Sequence, residues 1–533
     1  MKRFLTRLSA VAMALTMVMA CSKENAGNGD YINAIPENAT AIMYIDGYQM
    51  MQKTELLDQF KTIRQIAAKQ APNLVGKANA DFVESIILDL DNTGIATTEP
   101  IYAAVTAKST DDAEIVVLAK VCDKGKLDRL MALANENGAG LEIENTDGCT
   151  IVLNEDGACI AYNDAAIVIA GESDSNYRQL AINTLKSAYT PRATALPDFK
   201  NYDIGIYVDT RKLLELGVKA DRDFAAQYEQ YINTDMFGDG VISGLTFNPG
   251  HILLDCNIIG MSDEMKARFE SAYSNKVTNE YLKYLPVDTY VVLSSYFNGK
   301  QTWDMIMDMP MVKDQLEQAK QYTTEEEWQE SMDMANKVFD SFDGDVVMAL
   351  NRIGNSYGDT DIKASAIMTV NNDYIISLFE MYKAIFGDDI TQTGNNAYCA
   401  DLGDMTAYFG QQGSMLYAST EGVPAPVSRS AADAAWVSDI DTARFFMVVN
   451  LRKIFADPLV NTMMWREVYN DRTAGDVARS LINLLDYAYM RDVDFNSSIL
   501  DIVLLNRTDN ALKQIVDAIQ PAVMQNVDLN ALF

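Results

Sequence analysis

Residues 31–39 read YINAIPENA, and residues 281–289 read YLKYLPVDT. Each segment begins with a tyrosine, has a proline at its sixth position, Pro36 or Pro286, and leads into a short apolar stretch. Four further pairs of similar segments follow in the same order, with offsets between about 240 and 250 residues. One chance motif does not produce such an unbroken order. The sequence therefore predicts an internal duplication.

The other four pairs of segments extend over most of both halves. They begin at Ile101 and Val346, at Ala119 and Met368, at Ile204 and Phe445, and at Leu245 and Val493. In the third of these pairs, the Arg-Lys dipeptide at Arg211 corresponds to the one at Arg452. We therefore predict two tandem duplicated domains, residues 31–275 and residues 276–533.

Each half is predicted to contain the same series of elements. In the first half, a strand near Ala39–Ile45 precedes an amphipathic helix at Tyr48–Gln70, and short strands follow around Thr150–Ala170. In the second half, the residues from Asp457 to Met490 are predicted to form a helical pair. Hairpins outnumber strand-helix-strand crossovers. We therefore predict an α+β fold in which each domain is a mainly antiparallel sheet with helices packed on one face.

The first residues of the chain have the pattern of a bacterial lipoprotein signal. Three positive charges, at Lys2, Arg3 and Arg7, form its n-region. A short apolar segment follows, and the small residue Ala20 stands directly before Cys21. We predict that residues 1–20 are a signal peptide, that Cys21 is lipidated, and that residues 21–30 form a flexible tether.

This anchor predicts where the protein works. No later segment is an apolar run of the about 20 residues that a spanning helix needs, so the rest of the chain is expected outside the bilayer. We predict a lipid-anchored protein of the cell envelope, at the outer membrane, with both a periplasmic and a surface-facing placement open. Its expected partners are the membrane, through the lipid, and a protein or glycan of the envelope.

The composition is that of a folded and strongly acidic chain. Hydrophobic residues make up 48% of the sequence, and the formal net charge is −32. Removal of residues 1–20 takes away three positive charges and would change this value from −32 to −35. Such a charge repels phosphate backbones, and no basic cluster with interleaved aromatic residues is present. Nucleic acid is therefore excluded as an expected partner.

The cysteines predict neither disulfides nor a thiolate metal site. After Cys21 five remain, without CxxC spacing and mostly in apolar runs: Cys122, Cys149, Cys159, Cys256 and Cys399. A hairpin that turns near 154–157 places Cys149 opposite residues near Tyr162, not opposite Cys159, and so disfavours a Cys149–Cys159 bond.

Several segments of the sequence resemble a known family. They are the opening segment 31–39, Gly94-Ile95 with the following Thr98–Tyr102, and the strand start Gly344–Val347. In these segments the chain resembles the Bacteroidetes lipoproteins of domain-of-unknown-function family 4836. The resemblance implies a duplicated, extracytoplasmic α+β lipoprotein. It implies no catalytic, cofactor-binding or metal-binding residue.

One segment has the pattern of a phosphatase. Residues 86–93 read IILDLDNT and fit the apolar strand followed by Asp-x-Asp-x-Thr of haloacid-dehalogenase-like enzymes, with Asp89 as nucleophile and Asp91 as acid and base. That chemistry needs a doubly wound parallel sheet, whereas the downstream elements are predicted to be hairpins. We interpret the segment as a loop that leads into the next strand.

Metal and histidine chemistry have little support in the sequence. The single histidine, His251, begins an apolar strand and is expected to be structural, and one imidazole excludes an HExxH zinc site. The acids Asp340, Asp343 and Asp345 and the segment 355–361 suggest calcium loops but lack the required spacing. We predict no metal and no cofactor.

Two alternatives to a pure binding protein stay open. A carboxylate-dependent extracytoplasmic hydrolase would need acids such as Asp89, Asp91, Asp343 and Asp345 in one concave pocket. A glycan-binding lipoprotein would need exposed tryptophans along one face, and the four tryptophans all lie in the second half, at Trp303, Trp328, Trp436 and Trp465. In the absence of a catalytic constellation, the leading prediction is a non-catalytic binding or assembly protein of unknown specific activity.

Overall fold

The computed structural model describes residues 30–526, apart from 56–63, 66–67, 70–78, 110–111, 138, 154–158, 172–176, 221–237, 273–274, 357–358, 384, 386–388, 404 and 469–471. The predicted signal peptide, Cys21 and the tether up to residue 29 lie outside the described residues. So do most of the predicted helix beyond Thr54, the turn at 154–157 and part of the 355–361 segment.

Helices and antiparallel strands alternate along the described chain. Its fourteen α-helices are α1 (Gly47–Thr54), α2 (Ala80–Leu88), α3 (Lys124–Glu136), α4 (Tyr177–Ser187), α5 (Thr210–Ala220), α6 (Asp263–Ala272), α7 (Gly299–Asp308), α8 (Pro310–Lys320), α9 (Glu325–Asp340), α10 (Tyr374–Tyr382), α11 (Leu451–Ala456), α12 (Pro458–Val468), α13 (Arg472–Ile482) and α14 (Ala511–Asn526). Short 3₁₀ helices occur at Tyr31–Ala34, Leu90–Thr93, Glu280–Tyr284, Ala431–Asp433 and Ala435–Ser438.

Twenty strands form one sheet in the described residues, and every neighbouring pair is antiparallel. In the first half they are β1 (Ala41–Ile45), β2 (Ile101–Ala107), β3 (Ala113–Lys120), β4 (Glu142–Thr146), β5 (Cys149–Leu153), β6 (Cys159–Tyr162), β7 (Ala166–Gly171), β8 (Ile204–Val208), β9 (Gly240–Asn248) and β10 (His251–Ile259). In the second half they are β11 (Val291–Asn298), β12 (Phe342–Ser356), β13 (Asp359–Val370), β14 (Ile390–Gly394), β15 (Ala397–Asp401), β16 (Thr406–Gln412), β17 (Met415–Ser419), β18 (Phe445–Val449), β19 (Leu485–Asp494) and β20 (Ser497–Leu504). The predicted mixture of helices and antiparallel sheet is thus confirmed.

The strands of the two halves follow one order. From one edge of the sheet to its middle, the order is β4-β5-β6-β7-β3-β2-β1-β8-β9-β10. It continues to the other edge as β20-β19-β18-β11-β12-β13-β17-β16-β15-β14. Counted outward from the middle of the sheet, the strand at each position in the second half has the number of its first-half counterpart plus ten.

The register of the strands also agrees between the halves. Ala41 of β1 lies opposite Val105 and Val208, on its two neighbouring strands. Val291 of β11 lies opposite Leu350 and Val449 in the same way. Val105 with Leu350, and Val208 with Val449, are the partners given by the sequence pairs that start at Ile101 and Ile204.

Helices cover both faces of the sheet, so the prediction of helices on one face is wrong. Leu185 of α4 packs in a core with Leu118 and Val168. Leu127 of α3 packs instead with a residue adjacent to each of these on the same strands, Ala119 and Ile167. Because successive side chains of a strand point to opposite faces, α3 and α4 lie on opposite sides. The strands β3 and β7 are nearly continuously apolar, and both of their faces need cover.

The second half has its own core, and the described residues between β17 and β18 form no counterpart of α4. There the loop between β17 and β18 supplies 3₁₀ turns, and Trp436 is buried against Phe446 with ring centroids 6.2 Å apart. The 3₁₀ helix at Glu280–Tyr284 covers the same core and contributes Tyr281 and Leu282. The corresponding 3₁₀ helix of the first half, Tyr31–Ala34, packs in the first core.

The two halves are joined by strand pairing and by contacts between helices that belong to different halves. Residues His251–Asn257 of β10 pair with Ser497–Val503 of β20. The last helix, α14, packs on this joint and against α1, while α6 packs against α7. The last helix of each half therefore contacts the first helix of the other half.

Two element boundaries differ from the sequence prediction. The helix predicted from Tyr48 begins at Gly47 and ends at Thr54, where Glu55 takes a left-handed conformation. The helical pair predicted up to Met490 ends at Ile482, and the residues from Leu485 form β19, in which Tyr487 and Tyr489 are two residues apart and both belong to the second core. None of the described helices is both long and apolar enough to cross a membrane.

Candidate functional site

The two acids of the phosphatase-like segment serve as structural hydrogen-bond acceptors. Asp91 is 8% exposed, and its Oδ1 accepts from the backbone N–H of Thr97 at 2.9 Å and from the Thr97 hydroxyl at 2.7 Å. Asp89 caps the 3₁₀ helix Leu90–Thr93 by accepting from the backbone N–H of Asp91, and burial raises its pKa. The antiparallel pairing throughout the described sheet also lacks the parallel strands that this chemistry needs.

The acids predicted near a calcium loop are likewise engaged. Asp345 is 2% exposed and accepts from the backbone N–H of Thr278 at 3.0 Å and from its hydroxyl at 2.5 Å. Asp343 accepts from the Tyr296 hydroxyl at 2.7 Å and from the Asn298 amide. Within the described residues, no three acidic, histidine or cysteine side chains are grouped as metal ligands.

These placements bear on the hydrolase hypothesis. Asp89 and Asp91 belong to the first half, Asp343 and Asp345 to the second, and each pair bonds within its own half. The structure does not bring the four carboxylates together in one hydrogen-bond network. The concave acidic pocket on which the hypothesis depends is therefore not formed by these residues.

His251 lies at the joint of the two halves. Its Nδ1 is 2.8 Å from Oδ2 of Asp501, which lies on β20, and the Tyr489 hydroxyl donates to the same oxygen at 3.2 Å. Asp501 is 4% exposed, and burial raises its pKa. The imidazole thus connects β10 to β20, a placement that favours the structural interpretation.

The tryptophans are at least half-buried. Trp436 belongs to the second core, and Trp303 packs on Phe339 with centroids 4.9 Å apart. Trp465 lies beneath the Arg479 guanidinium at 4.8 Å, and Trp328 is half-buried on α9. The exposed aromatic face that the glycan hypothesis needs is not formed by these four residues.

The five cysteines that the structure describes are free thiols. Thr150 lies opposite Tyr162 and Leu153 opposite Cys159, so the prediction that Cys149 lies near Tyr162 and away from Cys159 is confirmed. Burial raises the pKa of the Cys159 thiol to about 11, which leaves it protonated and unreactive at neutral pH.

A shallow cleft between α2 and the first turns of α3 was not predicted from the sequence. Its volume is about 450 Å³, within the range of about 300–1,000 Å³ typical of small-molecule sites. The residues that line it are Asp81, Phe82, Ser85, Asp123, Gly125, Lys126 and Arg129. The phosphatase-like segment lies directly behind it, because the Asn92 amide donates to the carbonyl of Ser85 at 3.0 Å.

One glycine, Gly94, allows the backbone behind the cleft to lie close to the start of α3. The carbonyl of Gly94 accepts the backbone N–H groups of Cys122 and Asp123 at 2.9 and 3.1 Å. Gly94 has φ +97°, and a Cβ at this position would lie 2.3 Å from the carbonyl oxygen of Asp123. Asp123 in turn caps α3 by accepting from the backbone N–H of Lys126 at 3.1 Å.

Two cations face this cleft and are held by neutral groups. The Lys126 ammonium donates to Oδ1 of Asn92 at 2.6 Å. The guanidinium carbon of Arg129 lies 4.1 Å from the centre of the Phe82 ring. Their spacing of three residues on a helix that follows a capping aspartate is the signal that could have identified them in the sequence.

Comparisons with known proteins provide a family but no activity. No curated protein matches the chain. Among solved structures, the one titled "Structure of crystal form I of TP0453" shares 10% sequence identity, with 43% of this chain and 77% of that chain covered and a TM-score of 0.21, too low to carry an argument. The family described as "Domain of unknown function (DUF4836)" matches residues 31–512, nearly the whole described chain. The family predicted from the sequence is confirmed, and the chain belongs to the DUF4836 family.

Proposed function

We propose that this protein is a lipid-anchored, non-catalytic binding or assembly protein of the bacterial cell envelope. The observation that carries the proposal is the use of its candidate catalytic acids. Asp89, Asp91, Asp343 and Asp345 all accept structural hydrogen bonds, and two of them are almost completely buried. Carboxylates held in this way stabilise loops, and the two buried ones, Asp91 and Asp345, present almost no surface to a substrate.

The proposed location depends on the N-terminal sequence. The positive n-region, the short apolar segment and Ala20-Cys21 support lipidation of Cys21 after removal of residues 1–20. Two or more acyl chains give stable anchoring, where one is marginal. We place the protein at the outer membrane of a Bacteroidetes-type cell, facing the periplasm or the outside.

The proposed architecture is a tandem duplication of residues 31–275 and 276–533. The identical strand order of the halves and the matching registers around Ala41 and Val291 support it. Both halves contribute to one continuous sheet, which gives a partner a large, continuous framework.

Affinity purification of the lipidated protein from its native envelope tests this proposal, with Cys21→Ala as the matched control. We expect an envelope protein that co-purifies with the wild type and is lost or strongly depleted with the variant, identified by mass spectrometry. Metabolic labelling with a palmitate analogue should mark the wild type and not the variant. Wild-type protein that carries no label would overturn the anchor, and recovery of lipid alone would contradict the binding role.

A further inference from the structure

We propose that the cleft between α2 and α3 binds a small hydroxylated organic anion, through Lys126 and Arg129. The ligand class is a sugar acid or a sugar phosphate, two sources of the same anionic oxygen chemistry. This inference is independent of the lipid anchor and of any protein partner, because it rests on the cleft alone.

The first argument is the state of the two cations. The chain has 75 acidic residues and 43 lysines and arginines, so most cations are expected to find carboxylates. In the part of the chain that the structure describes, neither Lys126 nor Arg129 forms an ion pair within 4.0 Å. Their direct contacts are with uncharged partners, Asn92 and the Phe82 ring, and Lys126 also interacts at longer range with the Asp89 carboxylate, where it counteracts the rise in pKa caused by burial.

Two other cations of the first half are paired with carboxylates. Lys124, in the same helical turn as Lys126, pairs with Asp128 at 2.9 Å. Lys53 lies 2.6 Å from Asp203, a carboxylate with no exposed surface. The lack of an ion pair does not by itself single out Lys126 and Arg129; what distinguishes them is that both line the same cleft.

The second argument is the geometry around the cations. Lys126 and Arg129 are three residues apart in the first turns of a 13-residue helix, so their side chains share one side, and the helix dipole adds a partial positive charge there. Gly125 has no side chain, which keeps the cleft open at this end. A guanidinium offers paired N–H donors that match a carboxylate or phosphate.

The acids in the cleft define the rest of the ligand. Asp123 is committed to capping α3, whereas Asp81 is exposed on the first turn of α2. A carboxylate there repels a second anionic group and accepts hydrogen bonds from hydroxyl groups. The Ser85 hydroxyl, which donates to the Phe82 carbonyl at 2.7 Å, retains acceptor capacity toward the same groups. One anionic group with several hydroxyls is the chemistry that fits.

Titration calorimetry on the full chain in a neutral detergent tests the proposal. The probes are glucuronate and glucose 6-phosphate, with glucose as the uncharged control. We expect at least one anion to bind and glucose not to bind. Lys126→Gln and Arg129→Gln should each weaken binding by about tenfold or more, because each removes a charge-assisted hydrogen bond. Preference for one anion identifies the source of the ligand's charge.

Lys124→Gln is the matched control, since it removes one positive charge from the same turn but one already paired with Asp128. It should change affinity less than about twofold, because a paired surface charge contributes little. Circular dichroism confirms that each variant is folded. Absence of binding by both anions, equal binding of glucose, or equal weakening by the Lys124 variant would each overturn the proposal.

Discussion

At the scale of single residues, tyrosine hydroxyls donate hydrogen bonds to many of the carboxylates. In a less acidic protein, lysine and arginine would provide more of these donors. Eight tyrosine hydroxyls donate to aspartates in the described chain: Tyr44 to Asp46, Tyr162 to Asp128, Tyr189 to Asp164, Tyr202 to Asp255, Tyr290 to Asp457, Tyr296 to Asp343, Tyr487 to Asp439, and Tyr489 to Asp501. A phenol donates one hydrogen bond without needing a counter-charge. Such pairs allow carboxylates to lie inside a chain that is short of lysine and arginine.

The Tyr290–Asp457 pair gives a pH-dependent prediction. The Tyr290 hydroxyl donates at 2.6 Å and lowers the pKa of Asp457, while burial raises the pKa of Tyr290 to about 12, so it remains a neutral donor. A carboxyl with a lowered pKa stabilises the fold above its unfolded pKa and loses this contribution as the pH falls through its folded pKa. Tyr290→Phe should therefore cost about 1–3 kcal/mol at pH 7, and this cost should decrease as the pH falls below the usual aspartate pKa of about 3.9.

Urea unfolding at pH 7 and at about pH 2.5, well below the usual aspartate pKa, measures this difference. Tyr322→Phe is the control, because Tyr322 is 88% exposed and should show almost no cost at either pH. A Tyr290→Phe cost that is the same at both pH values would show that the lost stability does not come from the Asp457 carboxylate.

Gly94 gives a prediction about the backbone contact behind the cleft. An alanine there would combine a positive φ with a Cβ placed 2.3 Å from the Asp123 carbonyl oxygen. Gly148→Ala is the matched control, since Gly148 has φ +79° and none of the described atoms lies within 4 Å of the place its Cβ would take. Positive φ alone should cost about 1–2 kcal/mol, and the clash should add about 1–3 kcal/mol in Gly94→Ala.

Chemical denaturation of both variants separates the two effects. Gly94→Ala should also increase amide hydrogen exchange at the start of α3, because Gly94 accepts the N–H groups that lead into this helix. Equal costs for the two variants would mean that the chain relieves the clash, and that Gly94 is needed only for its conformation.

At the scale of elements, α14 holds the joint between the halves. It packs over a cluster that contains Phe247 of β9 and Leu504 of β20, and it reaches Met50 of α1. The Asn510 amide, just before the helix, donates to the Phe247 carbonyl at 2.8 Å. An element from the end of the second half therefore completes an apolar cluster to which both halves contribute.

Two adjacent leucines test this packing. Leu504 is 1% exposed beneath α14, whereas Leu505 is 44% exposed. Leu504→Ala should cost about 2–5 kcal/mol because it leaves a cavity in the joint. Leu505→Ala should cost less than about 0.5 kcal/mol, as exposed substitutions usually do. Denaturant unfolding measures both, and similar costs would contradict the packing assigned to this joint.

At the scale of the whole molecule, the halves depend on each other. The pairing of β10 with β20 covers a strand that would otherwise be a nine-residue edge, His251–Ile259. Without α14, the first half would also expose Phe247 and its apolar neighbours. Long unpaired edges beside apolar surface favour aggregation.

Separate production of residues 31–275 and 276–533 tests this dependence. We expect each piece alone to aggregate or to unfold without a cooperative transition, and the two pieces to form a soluble one-to-one complex when produced together. Size-exclusion chromatography and thermal unfolding distinguish these cases. If each piece is a stable folded monomer on its own, the helix contacts between the halves and the pairing of β10 with β20 contribute little to stability.

Much of the local structure could be predicted from the sequence. The strands near Ile101 and Ile204, and the partners that the segment pairs assigned to them, agree with the observed registers. These features depend on apolar alternation and turn residues, which act over a few positions. The prediction was wrong at β19. A short apolar run next to a helix is compatible with both helical and strand spacing, and pairing with β18 and β20 selects the strand.

By itself, the sequence determined the family, the mixture of helices and antiparallel strands, and the matching order of segments in the two halves, because these are encoded in local patterns. Only the tertiary structure decided that helices cover both faces of the sheet, that β10 meets β20, and that Lys126 and Arg129 face a cleft beside neutral partners. The physical reason is distance along the chain. Contacts such as His251 with Asp501 join residues 250 positions apart, and no local pattern of residues specifies them.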